Sequence, residues 1–257
     1  MDDGIKVYRV ATQEYTATTA DMSLMGAGAV ETGIAEPPAP RVAANFDGQR
    51  RFDALFLRAG SYLQVKRVQD IVFALGFLLS GGLVLFPLIA LLIKLDSPGP
   101  VFFRQERVGW LGRRFLCLKF RTMTHDPKAC FVQAQKNDPR ITRIGSFLRK
   151  TNLDELPQFI NVLLGDMSVV GPRPHVYELD LMHCDTVPGY KLRTCVRPGV
   201  TGLAQVSGCR GETRNARDME HRIRFDLFYV RNMNFMLDLR IVLLTVVRVL
   251  QGDSKAY

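Results

Sequence analysis

Two adjacent carboxylates, Asp154 and Glu155 in the stretch TNLDELPQF, are the residues of this chain whose types and spacing best suit chemistry. The surrounding sequence is rich in cationic residues, namely Lys119, Arg121, Arg140, Arg143, Arg149, Lys150, Arg173 and Arg197. Arginine forks suit phosphate oxygens, and glycine turns such as GPRP and RPGVTG expose backbone amides to an anion. Carboxylates in such a field are expected to keep low pKa values, and an ionised aspartate can act as a nucleophile or hold Mg²⁺. The pattern therefore indicates phosphoryl chemistry.

The same acidic pair also fits the start of a helix. Asn152 and Glu155 have the spacing of a capping box, and acids in a first turn favour the positive end of the helix dipole. Pro157 lies early enough to be tolerated, and a helical stripe of apolar residues follows and is predicted to stop at Gly165. The two interpretations are compatible, because a helix start holds two carboxylates in fixed directions.

Composition indicates that the partner is acidic, but it does not choose among nucleic acid, an anionic membrane surface and a phosphorylated substrate. The 257 residues are 47% hydrophobic, which supports a folded core, and the net charge of +9 implies an acidic partner. Five cysteines without a CxxC pair and four histidines without HxxxH spacing suggest neither a disulfide framework nor a zinc site. A nucleic-acid partner is the weakest expectation, because no helix-turn-helix or RRM signature occurs.

A long apolar segment precedes the acidic pair and the cationic residues in the sequence. Residues 71–93, IVFALGFLLSGGLVLFPLIALLI, contain no charged residue and reach the length of a membrane-crossing helix. Basic residues lie on both sides, namely Arg50, Arg51, Arg58, Lys66 and Arg67 before it and Lys94, Arg104, Arg107, Arg113 and Arg114 after it. A single straight span cannot place both basic flanks on the cytoplasmic side. A helix broken near Pro87, which enters and leaves by one membrane face, satisfies the pattern.

The remaining elements predict a mixed α/β fold, mainly helical with short strands. Residues 1–60 show no sustained period and no apolar leader segment, so we predict a disordered N-terminal arm without a cleavable signal peptide. Residues 61–96 form the predicted re-entrant helix, and residues 97–257 the predicted cytoplasmic catalytic domain. In that domain we predict strands on both sides of a Gly-Trp-Leu-Gly turn, strands in MSVVG and VRPGVTG, and two final helices. The last helix carries an apolar face suited to the bilayer surface or to the core.

Four long motifs in order resemble the bacterial sugar transferase family, the small monotopic polyprenyl-phosphate phosphoglycosyl transferases. The motifs are SPGPVFFRQERVGWLGRRFLCLKFRTM, DPRITRIGSFLRKTNLDELPQFINVLLGDMSVVGPRP, RPGVTGLAQVSG and FDLFYVRNMNFMLDLRIVLLTVVRVL. The resemblance runs from about Lys66 to the C-terminus and is strongest to the members that initiate exopolysaccharide synthesis.

The resemblance implies transfer of a hexose-1-phosphate from a UDP-hexose to undecaprenyl phosphate at the cytoplasmic face of the bacterial inner membrane, with release of UMP. It implies that Asp154 is the nucleophile of a covalent phosphosugar intermediate and that Glu155 supports it. It further implies that Mg²⁺ is held by this pair against the pyrophosphate. The phosphate contacts that it implies are Lys119, Arg149 and Arg173, followed by Arg121 and Arg197, which suit either anions or support of the turns. A homo-oligomer is compatible with it.

Two details depart from the family pattern, and two rival functions stay open. Phe86 precedes Pro87 where the family often has serine, and VSGCRGE carries an extra residue, so we give Arg210 no rank among the site residues. One rival is a conventional membrane glycosyltransferase that releases UDP. The other is a non-catalytic scaffold whose basic surface holds anionic lipid.

Overall fold

The computed structural model describes residues 46–125, 138–209 and 216–251, which are mainly helical with short strands. Two compact units divide the chain at residues 54 and 55, and the second holds every element after the first turns of helix α1. The helices are α1 (Phe46–Phe77), α2 (Leu83–Asp96), α3 (Arg143–Thr151), α4 (Gln158–Leu164), α5 (Tyr177–His183), α6 (Leu203–Val206), α7 (Ala216–Asn232) and α8 (Phe235–Gln251). The strands are β1 (Phe102–Val108), β2 (Arg114–Phe120), β3 (Ser168–Val170) and β4 (Gly199–Thr201). Shorter turns are the 3₁₀ segments Trp110–Gly112, Leu153–Glu155 and Tyr190–Cys195, and a π-helical segment covers Leu78–Gly82.

Strands β1 and β2 form the predicted antiparallel hairpin. The register pairs Phe102 with Phe120 and Val108 with Arg114. Its turn reverses at Leu111, whose φ of 54° is a left-handed conformation. The hairpin prediction is confirmed, and it places Lys119 near the end of β2.

Strands β3 and β4 pair in parallel and bring the GPRP and RPGVTG turns together. Ser168 pairs with Gly199 and Val170 pairs with Thr201. A Cβ atom on Gly199 would lie 2.1 Å from the backbone nitrogen of Gly171, so glycine is required for this approach. The turn that carries Arg173 is therefore fixed by backbone contact.

The apolar segment is one helical run made of α1, the π-helical segment and α2. From Tyr62 to Asp96 it is long and apolar enough to cross a membrane, and only 17% of its most apolar window is buried. Pro87 lies inside α2, shortly after the π-helical segment. The Ser80 hydroxyl donates to the Gly76 carbonyl at 2.6 Å, so a side chain satisfies one backbone group close to this irregularity.

Both ends of the apolar segment contact the same folded unit. Near its start, Arg67 donates to the Val162 carbonyl at 2.6 Å, and Asp70 accepts the Val169 amide at 2.9 Å. Near its end, Ile89 and Ile93 are buried in one cluster with Phe120 and Leu148. The Asp96 carboxylate also accepts the amide of Ile144 at 3.0 Å. These contacts hold the segment against α3, α4, β2 and β3.

A buried ion pair connects the start of the segment to the last helix. Lys66 donates to Asp238 at 2.5 Å, and Tyr229 donates to the other oxygen of Asp238 at 2.7 Å. We expect Asp238→Ala to lower stability by about 3 kcal/mol, because Lys66 would remain buried without its nearest partner. The melting temperature in detergent should fall by roughly 5–10 °C. Glu220→Ala, which removes an exposed ion pair with Arg224, is the matched control, and equal melting temperatures of both variants would contradict the expectation.

The last helix, α8, presents apolar residues on more than its buried side. Ile241 is fully buried, as the core alternative for this helix requires. Met236, Leu239, Leu243 and Val247 are exposed. Helix α8 therefore packs on the core through one face and leaves a second apolar face uncovered in the described part of the chain.

The first helix begins earlier than the sequence pattern predicts. Helix α1 starts at Phe46, so residues 46–60 of the predicted disordered arm are helical. These residues extend the helix of the apolar segment by further turns, and the stretch contains no proline. Residues 1–45 of the predicted arm lie outside the described residues.

Candidate active site around the acidic pair

The acidic pair lies between two helices rather than in the first turn of an α-helix. Helix α3 ends at Thr151, and Asn152 is its C-cap residue with a left-handed φ of 59°. Asp154 and Glu155 occupy the 3₁₀ turn that follows, and Pro157 directly precedes helix α4. The capping-box prediction is therefore wrong, because Asn152 terminates the preceding helix. The predicted stop of α4 at Gly165, with a φ of 96°, is confirmed.

Glu155 is held by two cations from different elements. Lys119 of β2 donates to Oε1 at 2.7 Å. Arg173 binds both oxygens with its fork, from Nη2 to Oε1 at 2.5 Å and from Nη1 to Oε2 at 3.1 Å. All three side chains are largely removed from solvent, and a two-pronged ion pair of this kind fixes geometry as well as charge. Glu155 is therefore a positioned carboxylate.

Asp154 is buried beside the same lysine but is held less closely. Its Oδ2 lies 3.8 Å from Lys119 Nζ, which is beyond hydrogen-bond distance. Burial raises the pKa of Asp154, the charge of Lys119 opposes that rise, and the neighbouring Glu155 adds to it. The expectation of a low pKa is therefore wrong for Asp154, because desolvation outweighs the surrounding cations.

Arg149 joins this group from helix α3. Its Nε donates to the Thr122 hydroxyl at 2.8 Å. Burial lowers the pKa of Arg149, and the charge of Asp154 is the largest influence that opposes this effect. The fold therefore brings together Asp154, Glu155 and the three cations that the resemblance ranks first.

Arg121 and Arg197 have other contacts. Arg121 donates to the Ser97 carbonyl at 2.7 Å, near the C-terminal end of α2. Arg197 donates to the Gly165 carbonyl at 2.8 Å and lies over the Trp110 ring at 4.4 Å. Both guanidinium groups bind backbone carbonyls at helix ends, which matches support of the turns rather than direct contact with the acidic pair.

The turn that carries Arg173 is held by two arginines that the sequence did not single out for this role. Arg107 donates to the Pro174 carbonyl at 2.6 Å, and Arg193 donates to the carbonyl of Arg173 itself. Arg193 also pairs with Asp226, 2.9 Å apart and almost fully buried. The signal in the sequence that could have indicated this role of Arg193 was Asp226 in the middle of helix α7, because a buried carboxylate requires a cationic partner. The partner lies 33 positions away, however, and no sequence period connects the two residues.

The donor set at the pair fits Mg²⁺ in chemical type. Two neighbouring carboxylates offer hard oxygen ligands, which Mg²⁺ prefers. Within residues 46–125, 138–209 and 216–251, no cluster of three or more His, Cys, Asp or Glu residues could hold a metal ion. The remaining ligands would therefore come from phosphate and water, as is usual for Mg²⁺ in phosphoryl transfer.

The described part of the chain thus joins an apolar helix long enough to cross a membrane to a folded unit with a buried cluster of carboxylates and cations. The chain belongs to the bacterial sugar transferase family, whose model matches residues 61–252. This finding confirms the resemblance drawn from the four motifs.

Three relatives illustrate the similarity. The chain is 49% identical over 202 residues to a UDP-glucose:undecaprenyl-phosphate glucose-1-phosphate transferase of Xanthomonas campestris pv. campestris, covering 78% of this chain and 41% of the relative. It is 50% identical over 183 residues to the protein of the same name from Escherichia coli (strain K12), covering 71% and 39%. It is 49% identical over 195 residues to the exopolysaccharide production protein PSS of Rhizobium leguminosarum bv. phaseoli, covering 72% and 94%. The chain thus spans about two fifths of the first two relatives and nearly all of the third.

Proposed function

We propose that this protein transfers a hexose-1-phosphate from a UDP-sugar to undecaprenyl phosphate and releases UMP, as a first membrane step of surface glycan synthesis. The observation that carries the proposal is the arrangement of the acidic pair. Glu155 is fixed by Lys119 and Arg173, whereas Asp154 lies 3.8 Å from the lysine in the same buried cluster. The names of two relatives, which state this transfer for glucose, support the same reaction.

The first chemical step forms a bond from an Asp154 carboxylate oxygen to the phosphorus that carries the sugar. The bond from that phosphorus to the bridging oxygen breaks, and UMP leaves with the bridging oxygen. In the second step an oxygen of undecaprenyl phosphate attacks the same phosphorus, and the bond to Asp154 breaks. The carboxylate is thereby regenerated, and one small site serves a soluble and a lipid substrate in turn.

The other residues of the cluster position the reactants. Lys119, Arg149 and Arg173 lie around the pair and balance the charge that a pyrophosphate brings into a buried site. Glu155 orients Lys119 through its 2.7 Å contact. We further propose that Asp154 and Glu155 hold Mg²⁺, which would neutralise the pyrophosphate and the departing UMP.

We propose that the apolar segment enters and leaves the bilayer by the cytoplasmic face. A straight span would separate its two ends by a hydrocarbon layer of about 30 Å. The contacts of Arg67 and Asp70 near one end, and of Ile93 and Asp96 near the other, all reach one folded unit and therefore support entry and exit on one side. The uncovered apolar face of α8 suits the same membrane surface.

A panel of UDP-sugars tests the function. The purified chain in detergent would be incubated with undecaprenyl phosphate, Mg²⁺ and each UDP-sugar in turn, beginning with UDP-glucose, and the nucleotide product identified. UMP is the expected product. Release of UDP would favour the conventional glycosyltransferase, and absence of any turnover across the panel would favour the scaffold.

The pH profile supplies a prediction about Asp154. The ionised carboxylate is the active form, so a pKa raised by burial moves the acid limb of kcat/KM to a higher pH than the value of about 4 typical of an exposed aspartate. Lys119→Met should move the midpoint further upward, because the lysine charge is the largest influence that lowers this pKa. Profiles of residual activity from pH 4 to 8 measure the shift.

The control for the pH prediction is Lys191→Met, which removes an exposed lysine paired with Asp185. Its midpoint should equal that of the unmodified protein with the same substrate. A Lys119→Met midpoint that is unchanged or moves downward would contradict the assignment of Asp154 as the titrating nucleophile.

A further inference from the structure

The β1–β2 hairpin has two faces with different neighbours. Residues directly opposed in an antiparallel pair lie on the same face, and successive residues alternate between faces. Phe103 pairs with Lys119, and Phe102 pairs with Phe120. Phe103 therefore shares the face of Lys119, which contacts Glu155, and Phe102 lies on the opposite face.

On the opposite face of the hairpin, Phe102 packs against other aromatic residues. Its ring stacks on Phe120 with centroids 5.5 Å apart, and Phe86 of α2 meets Phe120 edge-on at 5.2 Å. Phe120 itself belongs to the buried cluster with Ile89 and Ile93. One of the two adjacent phenylalanines thus packs against the apolar helix.

Phe103 has a different environment. The residue is 48% exposed and lies on the face that carries Lys119. A ring placed there lies beside the backbone of Lys119, whereas the carboxylates lie at the far end of the four-carbon lysine side chain. The hairpin therefore carries an exposed aromatic residue on the same face from which Lys119 reaches the acidic pair.

The proposed substrate has a matching arrangement of parts. Its reacting phosphorus must lie at Asp154, and its flat uracil ring is separated from that phosphorus by the second phosphate and the ribose. The cations of the cluster suit the phosphates, but none of them offers a planar apolar surface to the base. An aromatic ring supplies such a surface, and stacking of a base on one is a substantial source of affinity.

We propose that Phe103 is the stacking platform for the uracil ring of the UDP-sugar. This inference rests on the proposed function and names the part of the site that receives the base.

Nucleotide binding with and without the base tests the proposal. The full chain in detergent would be titrated calorimetrically with UMP and with ribose 5-phosphate, in the unmodified form and as Phe103→Leu. The leucine keeps apolar volume but removes the ring, so UMP affinity should fall on the order of 5- to 100-fold. Affinity for ribose 5-phosphate should stay the same, because it lacks the base.

Two further variants sharpen the test. Phe103→Tyr keeps a ring and should retain UMP affinity within about twofold. Leu116→Ala changes an exposed apolar residue on the other face of the hairpin and should leave both ligands unaffected. Retained binding of ribose 5-phosphate by Phe103→Leu shows that the variant is folded.

Two results would overturn the stacking assignment without touching the proposed function. One is unchanged UMP affinity in Phe103→Leu, because the ring would then make no contribution to binding of the base. The other is an equal loss for UMP and ribose 5-phosphate. Failure of the unmodified protein to bind any uridine nucleotide, including UDP-glucose, would instead remove the proposed function and the inference with it.

Discussion

Asp154→Asn should reduce hexose-1-phosphate transfer by about 10³-fold or more while the chain remains folded. The amide keeps the shape of the carboxylate but is a far weaker nucleophile, so the covalent intermediate cannot form. Loss of a buried carboxylate whose pKa is raised by burial removes an unfavourable desolvation, so we expect no loss of stability. Large loss of activity without loss of stability separates a chemical role from a structural one.

The measurement uses UDP-glucose labelled at the phosphate next to the sugar. Without lipid acceptor, the unmodified protein should retain label covalently and Asp154→Asn should retain none. Asp185→Asn is the matched control, because its side chain is 80% exposed, and it should label and turn over like the unmodified protein. Label on the Asp154→Asn protein, or transfer near the unmodified rate, would refute the nucleophile assignment.

Arg173→Met should lower kcat/KM by about 10²- to 10³-fold, the size of effect that removal of one positioned electrostatic group has in other enzymes. The fork of Arg173 binds both oxygens of Glu155, so its removal leaves Lys119 as the closest cation to that carboxylate. Lys119, already 2.7 Å from Glu155, would then remain as a close partner of that carboxylate, and the buried acidic pair would lose one of its neighbouring positive charges. The site would therefore be less able to balance the charge of a bound pyrophosphate.

Arg173→Lys should restore little of this activity, because an ammonium group lacks the planar fork of parallel N–H donors with which arginine matches the two oxygens of a carboxylate. Initial rates over a range of UDP-sugar concentrations measure the effect, and melting temperature in detergent monitors folding. Arg113→Met, at an exposed position in the hairpin turn, should change the rate less than twofold. Full activity in Arg173→Lys would show that only the charge at this position matters.

Local patterns predicted much of the framework. The two-residue alternation around Gly-Trp-Leu-Gly predicted the β1–β2 hairpin. Gly165 predicted the end of α4, because glycine readily adopts the left-handed φ that this residue has in the structure. These features depend on neighbours in the chain, and their physics is contained in a short window. The long apolar helix was also predictable from the sequence, because mean hydropathy is calculated over consecutive residues.

Other features depended on contacts that the local sequence pattern did not reveal. Asn152 had the spacing of a helix start, but the preceding helix continues to Thr151 and uses Asn152 as its end. Arg121 lies two residues after Lys119 and carries the same charge, so the sequence suggested the same role for both. Its guanidinium group instead donates to backbone carbonyls near the end of α2. The pairing of Arg193 with Asp226 also has no local signal. For Arg121 and Arg193 a partner from another element decided the outcome, whereas for Asn152 it was the continuation of helix α3 up to that residue.

By itself, the sequence determined the chemical inventory of this protein: two adjacent carboxylates, an excess of cations, an apolar helix and the motifs of one family. Charge, hydropathy and short-range geometry are properties of neighbouring residues, so they can be read along the chain. Only the tertiary structure decided that Lys119 and Arg173 hold Glu155 while Asp154 remains 3.8 Å from the lysine. It also decided that burial raises the pKa of Asp154, because desolvation depends on what surrounds a group in three dimensions.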